Sequence, residues 1–461
     1  MFALDLMKLR TMKKPLHTTL KTLAGAAAIF GCATGALAQS ADALLDKLVE
    51  KGILSVKEAN DLREESDKDF KKAYSLKSGM ADWVNSFKLN GDFRGRYEGH
   101  WAENAKFISR DRFRYRIRLG ATAIMADKFE VGLRLSSGDP VGGFSNNAGN
   151  PLSGSSTFQD NGSRKFIYID LAYAKWTPQF SPQFSSAFTF GKMENPFSFS
   201  HVVFDPDYTP EGFAANLGYA FNDKHTLKLN AGGFVLDELS ASKRDPFLVG
   251  AQLLFDSKWN SQWESSVGLA ALDISSIGSL SNGNVPNVNR GNTRTAAGAP
   301  KYHFNPIVAD ASVTYNLEKF PGYSGAFPIK LSGEYLNNPA APNKNEALMG
   351  GITFGKGGHK GLWEISYQYR YIGADSWYEE FPDDDFGAYY QAQQPNEGFS
   401  GAGAGYGGGT NVRGHVVKAA YWPYDSLSIG ITYYLADLIN PVPSNSKSEA
   451  THIMADLIWK F

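Results

Sequence analysis

The stretch that decides the fold is THIMADLIWKF, residues 451–461. Read backwards from Phe461, every second residue is apolar or small, while Asp456 and His452 lie on the opposite face. A period of two residues is that of a β-strand, because successive side chains point to opposite sides of the backbone. The segment ends on two aromatic residues, Trp459 and Phe461, with no polar tail after them.

The same two-residue period begins at residue 85 and continues through most of the chain. In the first segment Phe87, Leu89 and Phe93 alternate with charged residues, and in residues 112–119 every even position is an arginine. Charged side chains that faced a dry core would each be strongly destabilising. The charged face must therefore be wet, whereas the apolar face suits lipid. This predicts a basic wall that lines a pore, made of Arg94, Arg96, Arg112, Arg114, Arg116 and Arg118.

Repetition of this pattern predicts an all-β fold, a transmembrane antiparallel β-barrel of about sixteen strands over residues 81–461. Short turns alternate with long loops, as expected when the turns and both chain ends are periplasmic. Tryptophans cluster at the strand ends beside the short turns, where an interfacial aromatic girdle is expected. The predicted strands cover residues 85–98, 110–125, 129–137, 165–176, 186–193, 213–221, 226–236, 247–256, 261–272, 307–317, 327–337, 347–355, 362–372, 412–422, 427–437 and 451–461.

The first eighty residues carry a different pattern. Residues 1–38 combine basic residues, an apolar stretch and a small-residue end at Ala38, which predicts a secretory signal peptide. Residues 39–80 show helical periodicity, with Ser55 and Glu58 as a capping box, and predict a short periplasmic α-helical hairpin. The hairpin is too small for a core of its own, so we expect a spacer, a subunit contact or a cell-wall contact.

Composition and motifs argue against several other classes of protein. A formal net charge of −1 disfavours nucleic-acid binding, and outside the amino terminus no apolar run is long enough for a membrane-spanning helix. Residues 350–356 approximate a phosphate-binding loop, but Gly357 replaces the required Ser or Thr. We therefore expect no enzyme activity, catalytic residue, cofactor or metal site. The acidic cluster within residues 379–385 is predicted to lie in a solvated outer loop.

Six segments carry a family resemblance: LLDKLVEKGILSVKEANDLREE (44–65), GDFRGRYE (91–98), RDRFRYRIRLG (110–120), GLRLSSGDP (132–140), GKMENPF (191–197) and DPDYTPEG (205–212). They resemble the putative porin family of Gram-negative outer membranes. The resemblance implies an outer-membrane barrel, surrounded by lipid and lipopolysaccharide, for passive diffusion of small hydrophilic solutes and ions, with no catalytic residues. By analogy of fold it also suggests a homotrimer. The closing strand is similar to that of outer-membrane barrels, whose final aromatic residue engages the barrel assembly machinery, so Trp459 and Phe461 are expected to form the assembly signal.

An acidic loop at residues 194–212 is the expected counterpart of the basic wall. It is the third outer connection, the position from which general diffusion porins fold a loop into the lumen. Arginines opposite carboxylates across a narrow aqueous gap would create a transverse field that orients dipolar solutes. We therefore expect a porin with an arginine-lined wall, an acidic constriction loop and a weak anion preference. The alternatives are an anion-selective channel, for example for phosphate, arginines that only neutralise nearby carboxylates, and a secreted soluble β-rich binding or adhesion protein. The loop carboxylates are Glu194, Asp205, Asp207 and Glu211.

Overall fold

Sixteen antiparallel strands form a closed barrel in the part of the chain that the structure, a computed structural model, describes. The described residues are 81, 83–140, 150, 152–280, 289–391 and 405–461. The predicted sixteen-stranded antiparallel barrel is confirmed. The strands are β1 (Val84–Ala102), β2 (Arg110–Met125), β3 (Phe129–Gly138), β4 (Phe166–Trp176), β5 (Phe184–Lys192), β6 (Glu211–Ala220), β7 (His225–Val235), β8 (Phe247–Lys258), β9 (Trp263–Ile274), β10 (Ile307–Leu317), β11 (Phe327–Asn337), β12 (Glu346–Gly355), β13 (Trp363–Ile372), β14 (Val412–Tyr424), β15 (Leu427–Leu438) and β16 (Ala450–Lys460).

The barrel closes where the first strand meets the last. β1 pairs with β2 on one side and with β16 on the other. Beside this seam, the backbones of Gly91 and Phe461 exchange two hydrogen bonds, with nitrogen–oxygen distances of 2.8 and 3.1 Å. β1 runs to Ala102, beyond its predicted end at residue 98, because β16 pairs with it from Asp92 to Ala102. Closure gives every strand of the described wall a hydrogen-bonded neighbour on both sides.

Two short elements lie apart from the sixteen strands. Ser156–Thr157 pairs with β2 from the long connection between β3 and β4. Ala388–Tyr390 pairs with Gly405–Gly407 in a separate hairpin within the connection between β13 and β14. Both belong to long connections that turn back onto the barrel.

Helical structure in the described residues is limited to short 3-10 turns. Their bounds are Ala126–Lys128, Asp160–Gly162 and Ile277–Ser279. No helix in this part of the chain has the length and apolar character needed to cross a membrane. The predicted signal peptide (1–38) and helical hairpin (39–80) lie outside the described residues and stay predictions.

The outer face of the barrel is apolar. Leu89, Phe190 and Leu269 are each exposed over more than half of their surface, at 71, 68 and 57 %. An apolar band of this kind, bordered by aromatic residues, matches the hydrocarbon and interfacial layers of a membrane. The exposed tryptophans all lie at strand ends beside the short turns: Trp83, Trp176, Trp259, Trp263 and Trp459.

The inner face of the barrel changes character along its axis. Near the short turns it is charged, as in the ion pair of 2.6 Å between Lys228 on β7 and Asp256 on β8. Toward the long connections the inner side chains of many strands are apolar and buried, such as Leu248 on β8 and Leu336 on β11. This differs from the prediction of an inner face that is wet throughout. The reason is that long connections fold into the barrel and cover these side chains.

Three connections supply the buried apolar filling of the barrel. Their residues 193–210, 289–306 and 373–391 contribute aromatic side chains to one hydrophobic cluster with the inner wall. We call the buried parts of these three connections the lumen plug. Burial of this much apolar surface provides the main driving force for holding the connections inside. The principal aromatic members are Phe197, Phe204, Phe304, Trp377, Phe381 and Phe386.

Candidate functional site

The arginines of the predicted basic wall lie on the inner face of β1 and β2. Arg94 lies opposite Arg116, and Arg96 lies opposite Arg114. These four side chains are buried, and the other two arginines of the wall are half-buried. Like charges directly opposite each other destabilise a sheet, so the arginines need carboxylates between them.

Acidic residues on the barrel wall supply part of this compensation. Asp92 on β1 bridges Arg116 and Arg118, at nitrogen–oxygen distances of 3.1 and 2.6 Å. Asp456 on β16 accepts from Nε and Nη2 of Arg96 at 2.7 and 2.9 Å. The bidentate geometry of this last pair fixes the orientation of the guanidinium group across the seam.

Arg94 is the least compensated arginine of the wall. Glu98 binds Arg112 and Arg114 through one oxygen, at 2.5 and 3.4 Å. Arg94 instead donates from Nη2 to the hydroxyl of Ser155 at 2.7 Å. Within the described residues, no carboxylate oxygen lies within 4.0 Å of its guanidinium group. The compensation by carboxylates is therefore extensive but uneven.

Two of the predicted loop carboxylates face the arginines of the inner wall. Glu194 pairs with Arg134 on β3, which also binds Asp170 on β4. Asp207 lies 3.4 Å from Nη1 of Arg116. The loop thus places carboxylates against the side of the barrel that carries the basic wall.

The other two predicted carboxylates, Asp205 and Glu211, do not face the basic wall. Asp205 is buried, and its two side-chain oxygens accept the backbone N–H groups of Asp207 at 2.7 Å and Asp384 at 3.1 Å. Glu211 is the first residue of β6 and lies 3.2 Å from the ammonium group of Lys192. Two of the four carboxylates thus bind partners other than the arginines of the basic wall, and the acidic constriction loop stays a prediction. The physical reason is that Asp205 satisfies backbone donors of a turn, and the chain has re-entered the barrel wall by Glu211.

The 193–210 connection crosses the lumen instead of following its rim. Ser198 exchanges two hydrogen bonds with the side-chain amide of Gln252 on β8, at 2.8 and 2.9 Å. Ser200 donates its N–H and its hydroxyl to the carboxylate of Glu334 on β11, at 2.8 and 2.5 Å. Because β8 and β11 lie well around the barrel from β5, these bonds tie the loop to the far wall.

The 373–391 connection packs beside this loop. Trp377 is completely buried, and its indole N–H donates to the backbone oxygen of Val203 at 2.9 Å. The backbone N–H of Asp205 donates to the oxygen of Phe381 at 2.6 Å. Aromatic packing and backbone hydrogen bonds together make the two connections one body inside the barrel.

Acidic residues of the same connection are internal partners of buried arginines, so the prediction of a solvated loop at residues 379–385 was wrong. Asp383 lies 2.7 Å from Arg370 on β13, and Glu379 pairs with Arg294. All four side chains are at most 3 % exposed. The signal in the sequence was the high density of aromatic residues around these acids, which is unusual for a wet loop.

The described residues leave two adjoining cavities beside the lumen plug, and the smaller of them is also lined by Arg116 and Arg118 of the basic wall. The larger, which we call the vestibule, has a volume of about 750 Å³ and lies toward the long connections. The smaller, which we call the gap, has a volume of about 20 Å³, roughly the room that one water molecule needs. Ser136 and Asp207 line both cavities, so the vestibule lies next to the gap. The charged residues that line the gap are Arg116, Arg118, Arg134, Asp170, Glu194 and Asp207.

Burial alters the acidity of carboxyl groups where the two inner loops meet. Burial, followed by the charges of neighbouring aspartates, raises the pKa of Asp205 and of Asp384 well above the usual range. Although burial also acts to raise the pKa of Asp383, His201 and Arg370 hold it below its usual value. The loop contact therefore combines a stabilised carboxylate with two carboxyl groups that favour the protonated form.

The contact between these loops is expected to weaken as pH rises. A carboxyl group with a raised pKa in the folded state contributes fully at low pH, and that contribution is lost as pH climbs from about 4 through the raised value. Amide hydrogen exchange in residues 200–208 and 378–386, corrected for the intrinsic rate, should therefore be faster near pH 9 than near pH 5. Asp384→Asn should reduce this difference. Equal protection of the native protein at both pH values would contradict the expectation.

A match to a known family falls on the part of the barrel that carries the gap. Residues 104–305 match the putative porin family. The resemblance seen in the sequence is thereby confirmed over a span that contains β2 to β9. The porin match and the closed barrel support an outer-membrane diffusion channel. No curated protein matches the sequence.

Solved structures are similar to this chain at low sequence identity. OprB of Pseudomonas putida is 13 % identical, over 81 % of this chain and 94 % of that one, with a TM-score of 0.46. OmpF of Salmonella typhi, in complex with daunomycin, is 10 % identical, over 83 and 99 % of the two chains, with a TM-score of 0.44. OccAB1 of Acinetobacter baumannii is 10 % identical, over 84 and 100 %, with a TM-score of 0.45.

Proposed function

We propose that this chain is an outer-membrane porin whose water-filled channel lets small hydrophilic solutes and ions diffuse passively. The observation that carries this proposal is the gap, where arginines of β2 and β3 face Glu194 and Asp207 on a loop tied across the lumen. The closed sheet with an apolar exterior supports a membrane channel. A soluble binding or adhesion protein would have to cover this exterior, so that alternative is less well supported.

The charges at the gap determine its proposed ion preference. Three arginines and three carboxylates line it, and Asp92 binds two of those arginines from behind. A lining with both positive and negative side chains favours a weakly selective pore. A strongly anion-selective pore would need arginines without acidic partners. The preference should then depend on small changes in the balance of charge at the gap.

Neutralising one side of the gap at a time should shift ion selectivity in opposite directions. Arg116→Gln with Arg134→Gln leaves the carboxylates dominant and should favour cations. Glu194→Gln with Asp207→Asn leaves the arginines dominant and should favour anions. Charges at the narrowest point have most influence, because wider regions are screened within about 8 Å at physiological salt. The measurement is the reversal potential of single channels in a salt gradient.

A matched control lies on the same inner face, away from the gap. Lys228 and Asp256 form an ion pair near the short turns. Lys228→Gln with Asp256→Asn removes one charge of each sign and should leave the reversal potential at its native value. If both gap variants also keep the native value, the gap is not the selective part of the pathway and the constriction proposal fails.

We also propose how the barrel is oriented in the membrane, how it assembles and what it contacts. The long connections would face the outside, with lipopolysaccharide around the barrel, and both chain ends would face the periplasm. Trp459 and Phe461 are exposed beside the short turns, where the barrel assembly machinery could reach them. We further propose a homotrimer, which the particle mass in mild detergent would test, and contact between the 39–80 hairpin and the cell wall, which cross-linking would test.

A further inference from the structure

Three buried side chains beside the seam between β1 and β16 converge on one point. Glu98 and His100 lie two positions apart on the inner face of β1, and His452 on β16 pairs directly with His100. Three potential ligand atoms, one from each side chain, lie within 4.8 Å of one another. Glu98 Oε1 is 3.1 Å from His452 Nε2 and 3.9 Å from His100 Nε2. Strand register alone therefore places two imidazoles and a carboxylate around a common centre.

The hydrogen bonds of His452 point to a positive centre at this position. His452 Nδ1 lies 3.0 Å from the backbone oxygen of Asp385. A carbonyl oxygen can only accept, so Nδ1 carries a proton, and Nε2 of the neutral ring presents a lone pair. That lone pair faces Oε1 of Glu98, which also only accepts when ionised. Either a second proton on the ring or a metal ion would make this contact favourable.

His100 distinguishes between a proton and a metal ion. Its side chain is 8 % exposed. Among the described residues its Nδ1 has no hydrogen-bond partner, and its Nε2 lies 3.9 Å from Oε1 of Glu98, too far for a hydrogen bond. A buried polar group without a partner is uncommon in proteins and calls for a physical explanation, such as an ion. A second proton on His452 would satisfy the contact with Glu98 but leave Nε2 of His100 without a hydrogen bond or a ligand. A metal ion at the common centre would bind all three side chains.

We propose that Glu98, His100 and His452 bind a divalent transition-metal ion of the Zn²⁺ or Cu²⁺ type. Tetrahedral zinc, with bonds of about 2.0–2.2 Å, places its ligand atoms roughly 3.3 Å apart. The observed separations of 3.1 and 3.9 Å are close to this value. The rings of His100 and His452 are stacked at a centroid distance of 4.0 Å, so one ring must turn to direct its nitrogen at the ion. Imidazole ligands suit Zn²⁺ and Cu²⁺, whereas Ca²⁺ and Mg²⁺ prefer oxygen.

Groups around the three ligands hold them in position. Arg112 and Arg114 bind Oε2 of Glu98, which leaves Oε1 directed at the common centre. The backbone oxygen of Asp385 orients His452 in the way that outer hydrogen bonds orient metal-binding histidines. The two arginines also disfavour hard cations held by charge alone, and this strengthens the choice of an ion that binds imidazole.

A metal ion here would join the barrel seam to the connection between β13 and β14. The ring of Tyr406 packs against both imidazoles, at centroid distances of 4.7 Å to His100 and 5.7 Å to His452. Its hydroxyl donates to the backbone oxygen of Asp385 at 2.7 Å. The ion would thus stabilise both the closure of the barrel and the position of an inner connection.

Equilibrium dialysis of the full-length protein in detergent against Zn²⁺ tests the proposal. Near neutral pH we expect a single tightly bound ion per chain, and excess Mg²⁺ should not displace it. His100→Gln and His452→Gln should each weaken binding by roughly ten- to a hundredfold, the scale seen when metal-site groups are altered. His415→Gln is the matched control, because His415 lies on the exposed face of β14 and bonds to Tyr367 at 2.9 Å. It should bind Zn²⁺ as the native protein does.

Electron paramagnetic resonance of Cu²⁺ bound to the native protein keeps the proposal testable if a variant does not fold. Coupling to two imidazole nitrogens is expected. No bound Zn²⁺, equal Zn²⁺ affinity in the native protein and both histidine variants, or a Cu²⁺ spectrum without two nitrogen couplings would each overturn the proposal. The first of these results would indicate that a second proton on His452, and no metal ion, makes the contact with Glu98 favourable.

Discussion

Trp377→Ala is expected to raise the single-channel conductance while leaving the barrel wall folded. Trp377 is completely buried, packs on Phe204, Phe304 and Phe381, and donates its indole N–H to Val203. Truncating a buried tryptophan costs about 3–5 kcal/mol. The contacts that are lost lie within the lumen plug, whereas the hydrogen bonds between strands are kept. The plug should therefore loosen from the basic wall and widen the gap.

Conductance in planar bilayers and heat-dependent gel mobility separate the plug from the wall. Trp263→Ala is the matched control, since Trp263 is exposed on the outer face, and it should keep the native conductance. Native conductance in Trp377→Ala would mean that the lumen plug does not narrow the pathway. Loss of the heat-modifiable folded form would show that the wall depends on the plug, contrary to our expectation.

Breaking the buried ion pair between Arg294 and Glu379 should destabilise the lumen plug about as much as Trp377→Ala does. Both side chains are at most 1 % exposed, and Glu379 also accepts the backbone N–H of Asn292 at 2.7 Å. Burial raises the pKa of Glu379, while Arg294 acts to lower it. Arg294→Met leaves an acid buried without its cation, a change that costs about 3–5 kcal/mol. We expect the 289–306 and 373–391 connections to separate.

Limited proteolysis of the two connections measures this separation. Arg294→Met should be cleaved faster than the native protein. The double variant Arg294→Met with Glu379→Leu should recover most of the native resistance, because replacing both charges by apolar groups is often neutral. The proposed role of the pair is wrong if the single variant resists cleavage as well as the native protein does.

The barrel wall was predictable because every strand obeys the same constraint. One face meets lipid and the other meets the interior, so a two-residue period appears in the sequence. The predicted bounds 307–317 and 327–337 are the same as those of β10 and β11. The end of β1 was missed because the strand is extended by pairing with β16, a contact that local periodicity does not contain.

The inner loops were less predictable, because their partners lie elsewhere in the chain. Glu379 looks like a surface residue when only its acidic neighbours are considered, yet its partner Arg294 is 85 positions away. The apolar inner wall had a signal in the sequence, since residues 247–251 are apolar on both faces. A strand of that kind is expected where both faces are covered, one by lipid and the other by an interior core. That inference was not made from the sequence.

Pairing of β1 with β16 determines the order in which the protein can fold. Arg96 and Asp456, whose ion pair crosses this seam, are 360 positions apart in the chain. The seam cannot form until the last strand has been synthesised, and contacts so distant in sequence also form slowly. Until then the two outermost strands carry unpaired backbone groups that can pair with other chains. The protein is thus most prone to aggregation while the sheet is open. This stage ends when the eleven residues of β16 pair with β1.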